Sequence, residues 1–268
     1  MIPLDRAMEE LRRNFDVPAG ALDRCEEILQ VQHLSLAKNP PIGRLPDAVR
    51  LAASARMRAH EPVMLRERVP LESPRVAEVL RALARTVLEE PDPIDSLTRE
   101  WVEAALPPAT ADDAPTVHAI ASRLGLPVDS AVSLLREAMK PEMLRTSTAF
   151  TSLARDAGPR RRCPLCDALP AVATERDEAC CRWCGLIFMW DGSACGSCGK
   201  AQWRQREISA MARHARLLQC DACGDVAKVF RASADPLLLS LHGVLIAPFE
   251  LAARIAAEGT PGSSFSVF

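Results

Sequence analysis

Cys163-Pro164-Leu165-Cys166, Cys181-Arg182-Trp183-Cys184, Cys195-Gly196-Ser197-Cys198 and Cys220-Asp221-Ala222-Cys223 repeat one spacing four times and hold eight of the chain's ten cysteines. A two-residue gap lets both sulfurs of a pair converge on one ion from a tight turn, and two such turns complete a tetrahedral four-sulfur site. Eight ligands therefore imply two metal ions. Gly185, Gly199 and Gly224 directly follow three of the pairs, where a residue of positive φ turns backbone amides toward the sulfurs. Asp167 follows the remaining pair, and aspartate tolerates that region better than most side chains. Nearest-neighbour pairing groups Cys163, Cys166, Cys181 and Cys184 into one site and Cys195, Cys198, Cys220 and Cys223 into another. The spacing also permits interleaved pairing. Four thiolates suit zinc and iron alike, so both remain candidates.

The alternatives to metal are a disulfide framework and a thioredoxin-like redox pair. Disulfides need an oxidising compartment, and the segment Met1 to Glu10 has no basic region followed by an apolar core, so a cytoplasmic location is expected. A catalytic redox pair occurs once in a strand-helix unit, unlike four glycine-flanked copies. Of the two remaining cysteines, Cys25 lies on an apolar helical stripe as a small hydrophobe, and Cys180, which abuts Cys181, is expected in a structural role ahead of that of a spare ligand.

Outward from the knuckles the chain is helical in pattern. Leu4, Met8, Leu11 and Phe15 share one helical face, and Leu22, Cys25, Leu29, Gln32 and Leu36 repeat it. Asp47 to His60 reads as another helix, and Ser73-Pro74 starts one whose stripe is Val76, Val79, Leu80, Leu83 and Val87. Asp95 caps a helix with Leu97 and Trp101 inward, and further helices are expected over 115–125, 127–139 and 142–155. Short runs at Ala179 to Cys181, Leu186 to Trp190 and Ala201 to Ile208 suit small antiparallel strands between knuckles. Asp235-Pro236 opens a last helical region, with Leu237, Leu238, Leu241, Val244 and Leu245 in one stripe, divided by Pro248 from Phe249 to Ala257. The expected fold class is α+β. An all-helical domain (1–155) and a linker (156–162) precede a double CxxC ribbon domain (163–234) of two zinc-ribbon or rubredoxin-like modules, then a C-terminal helical segment and tail (235–268).

The 268 residues carry a net charge of −2, divided as 20 basic and 24 acidic residues up to Gly158 and 13 basic and 11 acidic beyond it. Neither half is a polybasic surface, so nucleic acid and anionic lipid are not expected partners. The segment Thr116 to Ala138 has the spacing of a helix-turn-helix, but its second helix offers only Arg136 as a cation, a poor furnishing for phosphate. Arg160, Arg161 and Arg162 lead into the first knuckle as a weaker hint of the same kind. The histidines His33, His60, His118, His214 and His242 are scattered singly, and neither a catalytic constellation nor a glycine-rich phosphate loop is present. No enzymatic activity is expected.

The helical first half, the Cys163 to Pro170 opening after a basic linker, the three further pairs, Trp190 before the third pair and the closing Asp235-Pro236-Leu237 together resemble the formate dehydrogenase accessory protein FdhE family. The resemblance spans nearly the whole chain and is to a divergent member. Glu178-Ala179-Cys180 replaces an aromatic Arg-Tyr-Leu segment, His242-Gly243 stands where paired acidic residues are usual, and Phe265 to Phe268 stands for an Asn-Pro-Phe. It implies a cytoplasmic, non-enzymatic assembly factor that binds the molybdenum- or tungsten-containing catalytic subunit of formate dehydrogenase. It also implies two rubredoxin-like sites for zinc or iron. Trp183, Phe188, Met189, Trp190 and Trp203 cluster around the knuckles, and Phe188, Trp190 and Trp203 are the expected partner contacts. Two other functional classes stand beside this one, a zinc-ribbon nucleic-acid-binding regulator and a rubredoxin-like iron redox carrier.

Overall fold

The fold is taken from a computed structural model that describes residues 3–14, 19–64, 71–87, 114–206, 215–231 and 235–238. The expected helix around Trp101 and the segment beyond Leu238 lie outside these residues. The helices are α1 (Leu4–Asn14), α2 (Ala19–Lys38), α3 (Asp47–Arg58), α4 (Ser73–Val87), α5 (Ala114–Leu124), α6 (Val128–Ser147) and α7 (Thr151–Asp156). Helix α4 starts where the sequence signals it, at Ser73 with Pro74 in the first turn.

Helix α6 is the central element of this half and packs against α2, α4 and α5. Its buried face runs through Ala131, Leu134, Leu135, Ala138, Met139, Met143 and Leu144. The sequence pattern divides this stretch into two helices near residue 140, yet α6 passes straight through Pro141. Proline has no N–H for the carbonyl four residues back, so Glu137 loses its helical donor. Gln32 of α2, fully buried, supplies the replacement: its Nε2 donates to the Glu137 carbonyl at 3.0 Å and to Glu137 Oε2 at 2.9 Å. One turn on, the buried Glu142 accepts from Arg145 at 3.1 Å and Arg75 at 3.4 Å, and Glu72 binds the same two arginines at 3.1 and 3.0 Å. Because each arginine serves both carboxylates, the buried charge is compensated and α4 is tied to α6.

Among the described residues, six strands form one sheet in the order β3-β2-β1-β6-β5-β4. They are β1 (Pro170–Thr174), β2 (Glu178–Cys181), β3 (Ile187–Met189), β4 (Trp203–Arg206), β5 (Ala215–Cys220) and β6 (Val226–Phe230). Strands β2, β3 and β4 match runs read from the sequence, whereas β1, β5 and β6 add to them. The sheet is two antiparallel three-stranded meanders, β1-β2-β3 and β4-β5-β6, fused where β1 pairs in parallel with β6 through Ala173↔Val229 and Thr174↔Phe230. The parallel junction sets both meanders in the same direction. All four cysteine knuckles therefore gather at one end of the sheet.

The compositional boundary between the helical half and the ribbons is not a packing boundary. One continuous cluster of buried side chains joins Met57, Leu80, Leu83, Met139, Met143 and Phe150 to Cys163, Leu165, Trp183, Leu186 and Phe188. A second joins Met8, Leu11, Leu29 and Leu36 of α1 and α2 to Val172, Cys180, Phe230 and Leu237. Helical residues thus pack on both faces of the sheet. The linker participates too. Arg160 donates its backbone N–H to the Met189 carbonyl at 2.8 Å and its guanidinium to the Met57 carbonyl at 2.7 Å.

Cys25 is buried, and its thiol is pushed up to about 11 by burial and by the nearby Glu137 carboxylate, from an ordinary value of 9.0. The folded chain holds this proton longer than the unfolded chain. Stability is therefore intact below about pH 9 and falls as pH rises toward 11, by up to about 2–3 kcal/mol. Denaturant midpoints measured across that interval should fall less steeply for Cys25→Ala than for the wild type.

Candidate metal centres

The four knuckles share one backbone conformation. In each, the residue after the second cysteine has positive φ: 58° at Asp167, 70° at Gly185, 75° at Gly199 and 76° at Gly224. The N–H of that residue donates to the carbonyl of the first cysteine, at 2.9, 3.2, 2.8 and 2.8 Å respectively. The N–H of the first cysteine in turn donates to the carbonyl one residue further on, in Ala168, Leu186, Lys200 and Asp225, at 2.8–2.9 Å. This two-bond loop aims both sulfurs to one side. Asp167 adopts the left-handed turn that glycine supplies elsewhere, as expected for a short polar side chain.

The knuckles combine as nearest neighbours. Cys163, Cys166, Cys181 and Cys184 form one cluster and Cys195, Cys198, Cys220 and Cys223 the other, with sulfurs in each all within 4.8 Å of one another. In the first, Cys163–Cys184, Cys166–Cys181 and Cys166–Cys184 are separated by 3.6, 3.5 and 3.7 Å. In the second, Cys195–Cys223 and Cys198–Cys220 are both separated by 3.6 Å. A tetrahedron of sulfurs about 2.3 Å from a central ion has edges of about 3.8 Å, whereas a disulfide needs about 2.05 Å. The donor sets thus fit one ion each.

Electrostatics favour the same occupant. Burial pushes the Cys163 and Cys184 thiols well up. Burial also acts to raise Cys181, but hydrogen bonds from the Cys163, Cys166 and Cys184 thiols and from the Cys184 backbone N–H hold it well below the usual thiol range. A divalent ion would supply the charge that lets sulfurs buried in so low a dielectric ionise together.

The surroundings tie the centres to the fold and to each other. Ser147, at the end of α6, donates its hydroxyl to the Cys184 carbonyl at 2.8 Å. Arg162 reaches across between the centres, donating to the Asp167 carbonyl at 2.9 Å and to the Gly196 carbonyl at 3.2 Å. The arginines at 160 and 162 thus work within the fold, while Arg161 is exposed. Cys180 is buried, with its sulfur 3.7 Å from the carbonyls of Cys181, Gly185 and Pro236. Asp235 Oδ1 accepts the N–H groups of Leu237 and Leu238 at 3.0 and 3.2 Å, which is the helix opening read from Asp235-Pro236.

The three aromatic residues expected at a partner surface occupy different depths. Phe188 is fully buried in the core shared with the helices, so its ring supports the sheet from beneath and offers no contact area. Trp190 is 8% exposed and lines a groove of about 450 Å³ with Leu218, Val229, Asp191 and Arg216. Trp203 is half-buried and donates its indole N–H to the Gly192 carbonyl at 3.0 Å, which holds the segment between the meanders against the sheet. The stretch read as a helix-turn-helix is two helices, α5 and α6, joined through a turn at Gly125 with φ 63°. Its second helix is the core helix α6, whose positions are largely committed to packing. Among the described residues, no helix is long and apolar enough to cross a membrane.

No family model and no curated protein matches this sequence. Among solved structures, the FdhE protein from Pseudomonas aeruginosa has the same fold, with a TM-score of 0.53 at 16% identity over 93% of this chain and 89% of that chain. The likeness therefore extends across the helical half and the fused sheet that carries both four-cysteine clusters.

Proposed function

We propose that this chain is an FdhE-like accessory protein that binds the catalytic subunit of formate dehydrogenase in the cytoplasm and promotes formation of the active enzyme, acting by binding and not by turnover. The observation that carries this reading is the shared fold over 93% of the chain. The sequence resemblance supports it independently, through the four knuckles and the Asp235-Pro236 opening. Cys163, Cys166, Cys181 and Cys184 would hold one ion, and Cys195, Cys198, Cys220 and Cys223 a second. Zinc would fix the knuckles in place, and iron would add one-electron chemistry. The first set sits in the core that joins sheet to helices, which favours a structural role there.

The client surface is assigned to the groove beside Trp190 and the neighbouring edge of the sheet at Trp203. A groove lined by apolar Trp190, Leu218 and Val229 together with charged Asp191 and Arg216, near a half-buried Trp203, has the make-up of a docking patch. In a pull-down of formate dehydrogenase catalytic subunits, the two-ion wild type should capture its client. Trp203→Ala and Arg216→Glu should weaken capture at least about tenfold while elemental analysis still finds two ions. Failure of the wild type to bind any such subunit sinks the reading. Wild-type binding with undiminished capture by both variants moves the surface elsewhere on the molecule.

A further inference from the structure

The four knuckles share one backbone, but the two centres they build differ in their distance from water. At the first, Cys163, Cys166, Cys181 and Cys184 are only 2, 3, 2 and 1% exposed and belong to the continuous core. Leu144 of α6 presses on Gly185, and Ser147 holds the Cys184 carbonyl. At the second, Cys195 and Cys220 are buried, but Cys223 is half-buried and Cys198 is exposed. None of these four belongs to either hydrophobic cluster. Among the described residues, no atom stands within 4 Å of the point where a β-carbon would be at Gly224.

We infer that the second centre is an exchangeable metal port, open to thiophilic divalent cations and to soft electrophiles at its Cys198–Cys223 edge, while the first centre keeps its ion for as long as the chain is folded. The chemistry follows from access. A ligand leaves a four-sulfur site one sulfur at a time, and the departing thiolate must meet a proton, a competing ion or an electrophile before it rebinds. Cys198 can do this at the native surface. Its sulfur would lift off the ion, an incoming chelator would then take the freed coordination position or a competing cation the freed thiolate, and the three remaining sulfurs would follow. With iodoacetamide, the freed Cys198 thiolate forms a carbon–sulfur bond and expels iodide, so that site can no longer close. At the first centre the same displacement requires the shared core to part, an opening that approaches global unfolding.

The inference concerns the protein's own metal kinetics and stands whether or not the client is formate dehydrogenase. Full-length protein loaded with two zinc ions is challenged with EDTA while native mass spectrometry counts ions. A parallel sample is treated with iodoacetamide and mapped by peptide mass. The expected result is a one-ion intermediate that accumulates because the first zinc departs at least about tenfold faster than the second. Alkyl groups should appear on Cys198 and Cys223 before any of Cys163, Cys166, Cys181 and Cys184. Cadmium added at low excess should give a species with one zinc and one cadmium. Departure of both ions at one rate, or alkylation of the first-centre cysteines before Cys198, overturns the assignment.

Discussion

Replacing Cys163 with serine should cost the protein its fold and not merely one ion. Cys163 shares a core with Leu165, Trp183 and Leu186 on the ribbon side and with Leu80, Met139 and Met143 on the helical side. Binding of a structural ion to four thiolates supplies about 10–16 kcal/mol, and a domain's whole stability is about 5–15 kcal/mol. No redistribution of helix packing can offset a loss of that size, since the same side chains seal the cluster. We expect Cys163→Ser to be largely insoluble, or soluble with a broad, non-cooperative thermal transition by far-UV circular dichroism. Cys198→Ser, at the exposed corner of the other centre, should lose up to one ion and keep a cooperative helical melt. A Cys163→Ser protein that retains one ion and melts like the wild type would remove the basis for a shared core. By the same argument a fragment of residues 1–162 should be incompletely folded, because it would expose Met143, Leu144 and Phe150 to water.

What the sequence disclosed and what it concealed separate along one line. The knuckles were legible down to backbone dihedral, because a CxxC turn followed by glycine or aspartate admits few conformations, and Asp167, Gly185, Gly199 and Gly224 all adopt the expected positive φ. That constraint is local. The helix start at Ser73 was legible for the same reason. The continuity of α6 was not, since the donor that replaces the one missing at Pro141 comes from Gln32, 105 residues from Glu137. Parallel pairing of β1 with β6 carries no local mark either. Both strands are short, and their register is fixed by side chains on two faces supplied by distant helices. The depth of Phe188 was hidden likewise: an aromatic beside a knuckle reads the same from sequence whether a helix covers it or water does. The choice between nearest-neighbour and interleaved knuckles, open in the sequence, is decided by each meander bringing its own two turns to one end.

Gly185→Ala should be strongly damaging to its knuckle, and Gly224→Ala, in the corresponding turn of the other centre, should be mild. The two glycines have nearly the same backbone, φ 70° and 76°, so a methyl group carries the same left-handed penalty at both, about 1–2 kcal/mol. They differ in what the methyl meets. At Gly185 it would lie 2.6 Å from Leu144 Cδ2 and 3.2 Å from Leu144 Cγ, against a buried leucine of the central helix, whereas at Gly224 no described residue stands within 4 Å. Overpacking of that kind costs a further 1–3 kcal/mol or so. The expected losses by urea denaturation of the two-ion proteins are therefore about 2–4 kcal/mol for Gly185→Ala and about 1 kcal/mol for Gly224→Ala, stiffening of the unfolded chain offsetting part of the strain in both. Leu144→Ala supplies the decisive control. It is destabilising alone, but it makes room for the new methyl, so the Gly185→Ala/Leu144→Ala double variant should be more stable than the sum of the single losses by about 1 kcal/mol or more. Strict additivity, or equal losses at the two glycines, would show that α6 does not bear on the second knuckle, and the route by which the first centre is locked into the core would have to lie elsewhere.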